Sequence, residues 1–202
     1  MATAQRDALL ELMSVLAHDL NNPLQTLLVL SELALDESPA GSEAHDRAKQ
    51  CLAAADRLKV LTQAMGASLR GRPQDIQQVW GRVQTMLGRR LERYGVTVST
   101  QLAALGTTPF GGDAEWAVLM AVLAVIATAS TSSVRRHELA IVGALVGEHA
   151  QLELGLTAID AEGVRRPLAF QAQAVARLCD VVPGATSDRD AERVVVPLAR
   201  AV

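Results

Sequence analysis

Two long stretches of helical periodicity, separated by one short turn, constrain this chain more than any other feature. From Leu9 to Leu35, apolar residues recur every three or four positions: Leu9, Leu12, Met13, Leu16, Leu20, Leu24 and Leu27. That spacing draws one apolar stripe along a helix. The run Asp36-Glu37-Ser38-Pro39-Ala40-Gly41-Ser42 then carries the Pro, Gly and Ser of a turn. A second helix is predicted from Glu43 to Arg70, with Ala44, Ala48, Leu52, Ala55, Leu58 and Leu61 on its apolar side. Two long helices joined by so short a turn must run antiparallel as a hairpin. One hairpin cannot bury its stripe alone. A homodimer closing a four-helix bundle is the economical solution.

Gly71-Arg72-Pro73 breaks this pattern and sets the predicted boundary. Residues 1–71 make the helical hairpin, and residues 72–202 make a second domain. In the second, Gln74 to Tyr94 reads as helix, Val96 to Leu102 as strand and Gly106 to Gly112 as loop. Asp113 to Ala129 is an apolar helix. Glu138 to Val146 and Gln151 to Ile159 read as strands, joined through Gly147-Glu148-His149. Leu168 to Val181 is helical, Pro183-Gly184 turns, and Arg193 to Leu198 is a last strand. Helices mixed with antiparallel strands predict a two-layer α/β sandwich and an α+β class overall.

Composition narrows function by exclusion. Half of the residues are hydrophobic (50%), aromatics are 2%, and the net charge is -3. Such a chain is globular, with no basic face of the kind phosphate backbones require, so no nucleic-acid partner is expected. The pairs Arg89-Arg90, Arg135-Arg136 and Arg165-Arg166 are scattered along the sequence and read as solvated surface or partner contacts. Cys51 and Cys179 have no CxxC partner and read as buried free thiols in a reducing cytoplasm. The polar start predicts no signal peptide. The apolar run Trp116 to Ala129 is too short to cross a bilayer, so no membrane association is expected. His45, His137 and His149 lack metal spacing and read as surface residues. No nucleophile elbow and no dinucleotide loop is present.

The chemistry sits in Ala17-His18-Asp19-Leu20-Asn21-Asn22-Pro23-Leu24. At about 100° per residue, His18, Asn22 and Gln25 share one side of the helix, with Glu11 and Ser14 near the same line. Leu16, Leu20, Leu24 and Leu27 fall opposite. An exposed imidazole is largely neutral near pH 7 and can act as a nucleophile. Asp19 can accept a hydrogen bond from one ring nitrogen and make the other more nucleophilic. Pro23 removes a backbone donor just after the histidine and should bend or loosen the helix.

The string HDLNNPL resembles the H box of two-component histidine kinases, in which the histidine is followed by an acidic residue, then Asn or Thr at the fourth position and Pro at the fifth. The resemblance extends over the surrounding hairpin. It implies that His18 accepts a phosphoryl group, that Asp19 is its acid/base partner, and that Asn22 positions water for dephosphorylation of a partner. It also implies that a Bergerat-type ATPase domain follows, and the second half matches such a domain in order and length.

Its nucleotide boxes depart from the family. Where the family has Asn-Leu-Leu-x-Asn-Ala, this chain reads Ala124-Val125-Ile126-Ala127-Thr128-Ala129, with Thr128 in place of the usual magnesium ligand. Where the family has Asp-x-Gly-x-Gly, the nearest match is Asp160-Ala161-Glu162-Gly163, so Asp160 reads as a turn residue and not as an adenine contact. Only Val164 to Pro167 separate this from the next helix, which leaves no room for a phosphate-covering lid. The expectation is a histidine phosphotransferase that relays phosphoryl groups between receiver domains through a phosphohistidine at His18, without ATP or any cofactor of its own. Magnesium would come with the partner receiver. Implied partners are response regulator receivers or a hybrid histidine kinase. The alternatives are a regulatory pseudokinase that docks such partners without carrying phosphate, and a receiver phosphatase acting through Asn22.

Overall fold

The computed structural model describes residues 2–69, 73–188 and 190–200. Arg70, the end of the second predicted helix, and Gly71-Arg72, at the predicted boundary, lie outside the described residues. The chain divides into two compact units, Met1–Arg70 and Gly71–Val202.

The first unit is a pair of helices, α1 (Ala2–Glu37) and α2 (Glu43–Leu69). The break between them follows from local chemistry. Gly41 adopts φ 82°, where a side chain would be strained. The Ser42 hydroxyl accepts a hydrogen bond from the His45 backbone N–H at 3.1 Å, which caps α2. Glu43 and Asp46 place negative charge at the same helix start. The seam between the helices is made by Leu24 and Leu28 of α1 against Ala55 and half-buried Leu52 of α2.

That seam is narrower than the periodicity predicts. Of the α1 stripe, Leu24 is buried, whereas Leu16, Leu20 and Leu27 are 43–50% exposed. Leu58 of α2, expected on the apolar side, is likewise exposed. One neighbouring helix covers only part of a helix circumference, and the stripe is wider than that. On a helical wheel of about 100° per residue, Leu16, Leu20 and Leu27 lie next to the seam on one side of the hairpin. Leu58 flanks the seam of α2 on that same side. The hairpin therefore carries a half-covered apolar face.

Among the described residues, the second unit holds three α-helices, one 3-10 turn (Ala103–Leu105) and six strands. The helices are α3 (Ile76–Arg93), α4 (Gly112–Thr131) and α5 (Ala172–Val181). The strands are β1 (Val96–Gln101), β2 (Arg136–Val146), β3 (His149–Ile159), β4 (Arg165–Pro167), β5 (Thr186–Ser187) and β6 (Arg193–Leu198). The sheet order is β1-β2-β3-β6-β5, with β4 on β3. β1 and β2 run parallel, which corrects the expectation of antiparallel strands throughout. The cause is the connection: α4 intervenes between them and returns the chain to the same end of the sheet. The other pairs are antiparallel, and Gly147-Glu148 close the β2–β3 hairpin in two residues.

Alternation sets the layers. Leu139 and Ile141 of β2, Leu152, Leu154 and Leu156 of β3, and Val194, Val196 and Leu198 of β6 are buried in one core with all three helices. The intervening residues Ala140, Val142, Glu153 and Thr157 line a shallow hollow of about 370 Å³ on the other face of the sheet. The result is a two-layer α/β sandwich, and the molecule is α+β, with a helical N-terminal unit and a six-stranded sheet.

α4 is 20 residues long, more than the apolar run alone indicated, and is long and apolar enough by composition to cross a bilayer. Most of it is instead buried in this unit, through Ala117, Val118, Ala121, Val122 and Val125 among others. The predicted helix from Leu168 begins later, at Ala172, because Arg165–Pro167 pair with β3 and Phe170 donates to the Ala191 carbonyl before α5 starts.

Candidate functional site

His18, Asp19 and Asn22 all lie on α1, and the helix runs unbroken through Pro23. The side chains of His18, Ser14 and Glu11 lie outside the described residues. Asp19, Asn22 and Gln25 are exposed. Pro23 has no N–H, so the carbonyl of Asp19, four residues back, lacks its helical donor. One turn on, Thr26 Oγ1 donates to the Asn22 carbonyl at 3.3 Å. Asp19, Asn21 and Asn22 thus stand at the surface of a continuous helix.

In the second unit, the residues standing at the nucleotide boxes are engaged in holding the fold. Thr128 is buried, at 4% exposure. Its hydroxyl donates to the Ala124 carbonyl at 2.9 Å and accepts from the Gln171 N–H at 2.9 Å. Gln171 is the N-cap of α5. The oxygen that stands for a magnesium ligand therefore ties α4 to the start of α5. The hydroxyl spends its one proton and one of its two lone pairs on this tie.

Asp160 is equally occupied. Its Oδ1 accepts from the Val164 N–H at 2.8 Å, its N–H donates to the Val164 carbonyl, and its carbonyl accepts from Gly163. Gly163 has φ 83°. Asp160 closes the β3–β4 turn. The residues present do not fit the ATP and magnesium that the family's pattern implies.

A buried ion pair braces the helix layer. Arg82 of α3 grips Glu115 of α4, with Nε 3.0 and 3.1 Å from the two carboxylate oxygens and Nη2 on Oε2. The Glu115 side chain is 5% exposed. Sequence reasoning missed this pair because its members lie 33 residues apart and neither belongs to a motif.

Four expectations change. Cys51 and Cys179 are exposed, not buried, because each falls on the outer side of its helix. His137 is fully buried rather than at the surface. Its Nδ1 lies 3.1 Å from the Tyr94 carbonyl at the end of α3, and its Nε2 has no partner. The alternation of β2 held the signal, since His137 is two residues before Leu139 and shares its face. His45 is half-buried, with Nδ1 unpartnered, and His149 is exposed as expected. One of the arginine pairs is also engaged within the fold. Arg165 and Arg166 pair with Glu138 and Asp160, at 2.8 and 3.8 Å. The chain just after α3 abuts the start of β2, where the Gly95 carbonyl accepts from the His137 N–H at 2.9 Å. Among the described residues no group of three or more His, Cys, Asp or Glu side chains is placed to hold a metal ion.

Residues 8–65 match the family model of the His Kinase A (phospho-acceptor) domain. His18, Asp19 and Asn22 fall inside the matched segment. Among curated proteins, none matches the chain. Similar solved structures include the Acinetobacter baumannii histidine kinase AdeS, with TM-score 0.43 and 14% identity, covering 90% of this chain and 95% of that one. The histidine kinase domain of the blue-light activated kinase from Erythrobacter litoralis EL346 has TM-score 0.42 and 10% identity, covering 88% and 94%. A histidine kinase, ThkA, solved in complex with the response regulator protein TrrA, has TM-score 0.40 and 10% identity, covering 100% of this chain and 64% of that one. The first unit is histidine kinase-like.

Proposed function

We propose that this chain is a cytoplasmic histidine phosphotransferase that relays phosphoryl groups between receiver domains of a two-component pathway through His18, without using ATP. The observation that carries the reading is the phospho-acceptor match over residues 8–65, joined to a second unit whose Thr128 and Asp160 are committed to internal hydrogen bonds. The first feature supports a phosphoryl-carrying histidine. The second argues against nucleotide as the source of the phosphoryl group.

In the forward step, a ring nitrogen of His18 attacks the phosphorus of an aspartyl phosphate on the donor receiver. The bond from phosphorus to the carboxylate oxygen breaks, and the aspartate leaves as a free carboxylate. The reverse chemistry delivers the group to the aspartate of a second receiver. Asp19 accepts a hydrogen bond from the other ring nitrogen, which holds the ring and offsets the charge that builds on it. Asn22 sits one turn on, where it faces the incoming phosphoryl group or a water. Such transfer depends mostly on positioning and charge stabilisation, and magnesium belongs to the receiver. Two hairpins joined through Leu16, Leu20, Leu27 and Leu58 form the homodimer.

The test mixes the purified protein with radiolabelled, phosphorylated receivers, beside ATP-only and His18→Ala controls. The relay predicts label on the wild type from phosphoreceivers and none on the variant. Label from ATP alone would make the chain a kinase. A binding function that persists in His18→Ala, with no label on the wild type, would make it a regulatory pseudokinase. Asn22→Ala disabling receiver dephosphorylation while His18→Ala spares it would make it a phosphatase.

A further inference from the structure

The interior of β3 holds a glycine that its own packing does not require. Gly155 is not at positive φ, and a Cβ on it would meet no atom within 4 Å. Gly143 of β2 is different, since its Cβ would lie 2.8 Å from Leu105 Cδ1. A glycine inside a strand weakens it, and one that packing does not explain marks a place where another group approaches closely. The strand register shows what Gly155 leaves open. Ala140, Gly155 and Arg193 stand opposite one another across β2, β3 and β6. Two of these three positions carry almost no side chain. Glu153 precedes Gly155 on the same face of β3, and Thr157, opposite Pro167 of β4, follows it. The outcome is the hollow of about 370 Å³ on the outer face of the sheet, with Ala140 and Gly155 as its floor.

Three charged residues line this hollow: Glu153, Glu192 and Arg193. No ion pair joins them among the described residues. Opposite charges elsewhere on the same face do close, as Arg165 of β4 reaches Glu138 of β2 at 2.8 Å. By register Arg193 is the diagonal neighbour of Glu153, yet the two stay apart across the glycine. The Glu153 carboxylate accepts from Gln151 Nε2 at 3.3 Å. The backbone at Arg193 is fixed as well. Its N–H donates to Asp188 Oδ1 at 3.2 Å, and the Ala191 carbonyl just before it accepts from the Phe170 N–H at 2.7 Å. An acid and a base therefore flank a small apolar floor without answering each other.

We infer that this hollow binds a small zwitterion whose ammonium and carboxylate are joined by a short methylene chain. The carboxylate meets the Arg193 guanidinium, whose planar fork suits bidentate contact. The ammonium meets Glu153 and Glu192, and the methylenes cover Ala140 and Gly155. A purely anionic ligand would face two carboxylates, and a purely cationic one would face the guanidinium. The volume falls at the lower end of the range for small-molecule sites, about 300–1,000 Å³. The inference goes beyond the relay reading and stands without it, because every residue involved belongs to the second unit.

The test titrates 6-aminohexanoate into the full isotope-labelled chain at constant ionic strength, beside hexanoate and hexylamine, and follows backbone amide shifts. We expect saturable shifts centred on Gly155, with a dissociation constant on the order of 1 mM. Each singly charged control should bind about tenfold more weakly, and Arg193→Gln and Glu153→Gln should each weaken 6-aminohexanoate by about tenfold. Gly155→Val should abolish binding. A Cβ has room there and β-branched residues favour strands, so the variant fills the hollow with its circular dichroism unchanged. Arg193→Gln and Glu153→Gln keep the test decisive should the valine disturb the fold. Absence of saturable shifts overturns the site. Shifts centred away from Gly155, or binding that the Arg193 and Glu153 variants leave unchanged, also overturn it. Hexanoate or hexylamine binding as tightly as 6-aminohexanoate overturns the zwitterion and leaves a site for one charge alone.

Discussion

Thr128 stands where the resemblance would place a magnesium ligand, and it is engaged in holding the fold. Its hydroxyl joins the Ala124 carbonyl to the N–H of Gln171. Thr128→Val keeps the shape and removes both bonds, which strands the N-cap amide of α5. We expect a loss of about 1–3 kcal/mol, read as a lower urea midpoint with unchanged slope. Thr128→Asn, which restores the family's residue type, should still bind no ATP in titration calorimetry, because the Asp160 turn is unaltered. Arg82 and Glu115 make a second test. Arg82→Ala takes the guanidinium away from the buried Glu115 carboxylate and should cost about 1.5–3 kcal/mol. Replacing both by apolar residues should cost much less, and a double-mutant cycle separates the two outcomes.

At the level of elements, what was legible in the sequence was whatever repeats. The helical hairpin and β3 were visible because Leu16 to Leu27 and Leu152 to Leu156 keep a period. What escaped has no period: β4 and β5 are three and two residues long and exist only through pairing with β3 and β6. Periodicity also told which residues are apolar without telling which neighbour covers them. It grouped Leu20 with Leu24, although the hairpin buries only Leu24. His137 was misread because β2 starts at Arg136, two residues before the predicted strand. Within the site, the H-box string was legible because its residues are contiguous. The fates of Thr128 and Asp160 were not, since their partners come from other elements or from the far side of a turn. The half-covered face of the hairpin makes its own prediction. Leu20→Glu and Leu58→Glu should each weaken homodimer association by about 3 kcal/mol, on the order of a hundredfold. Sedimentation velocity across a concentration series checks this, with helicity by circular dichroism unchanged.

For the whole molecule, the proposed relay assigns a different part to each unit. The hairpin offers an exposed polar line around Asp19 and Asn22 on a helix fixed by a capped turn. The sandwich, built around α4, has a full core, and Thr128 and Asp160 in it are engaged in internal hydrogen bonds. On this account the phosphoryl group enters and leaves through protein partners only. The most direct measurement is to incubate the protein separately with ATP and magnesium and with a phosphorylated receiver, and to locate any phosphoryl group by peptide mass spectrometry kept near neutral pH. The account predicts a phosphohistidine at His18 after the receiver incubation and none after ATP. Phosphorylation of His18 from ATP, or of a residue other than His18 from the receiver, would contradict it.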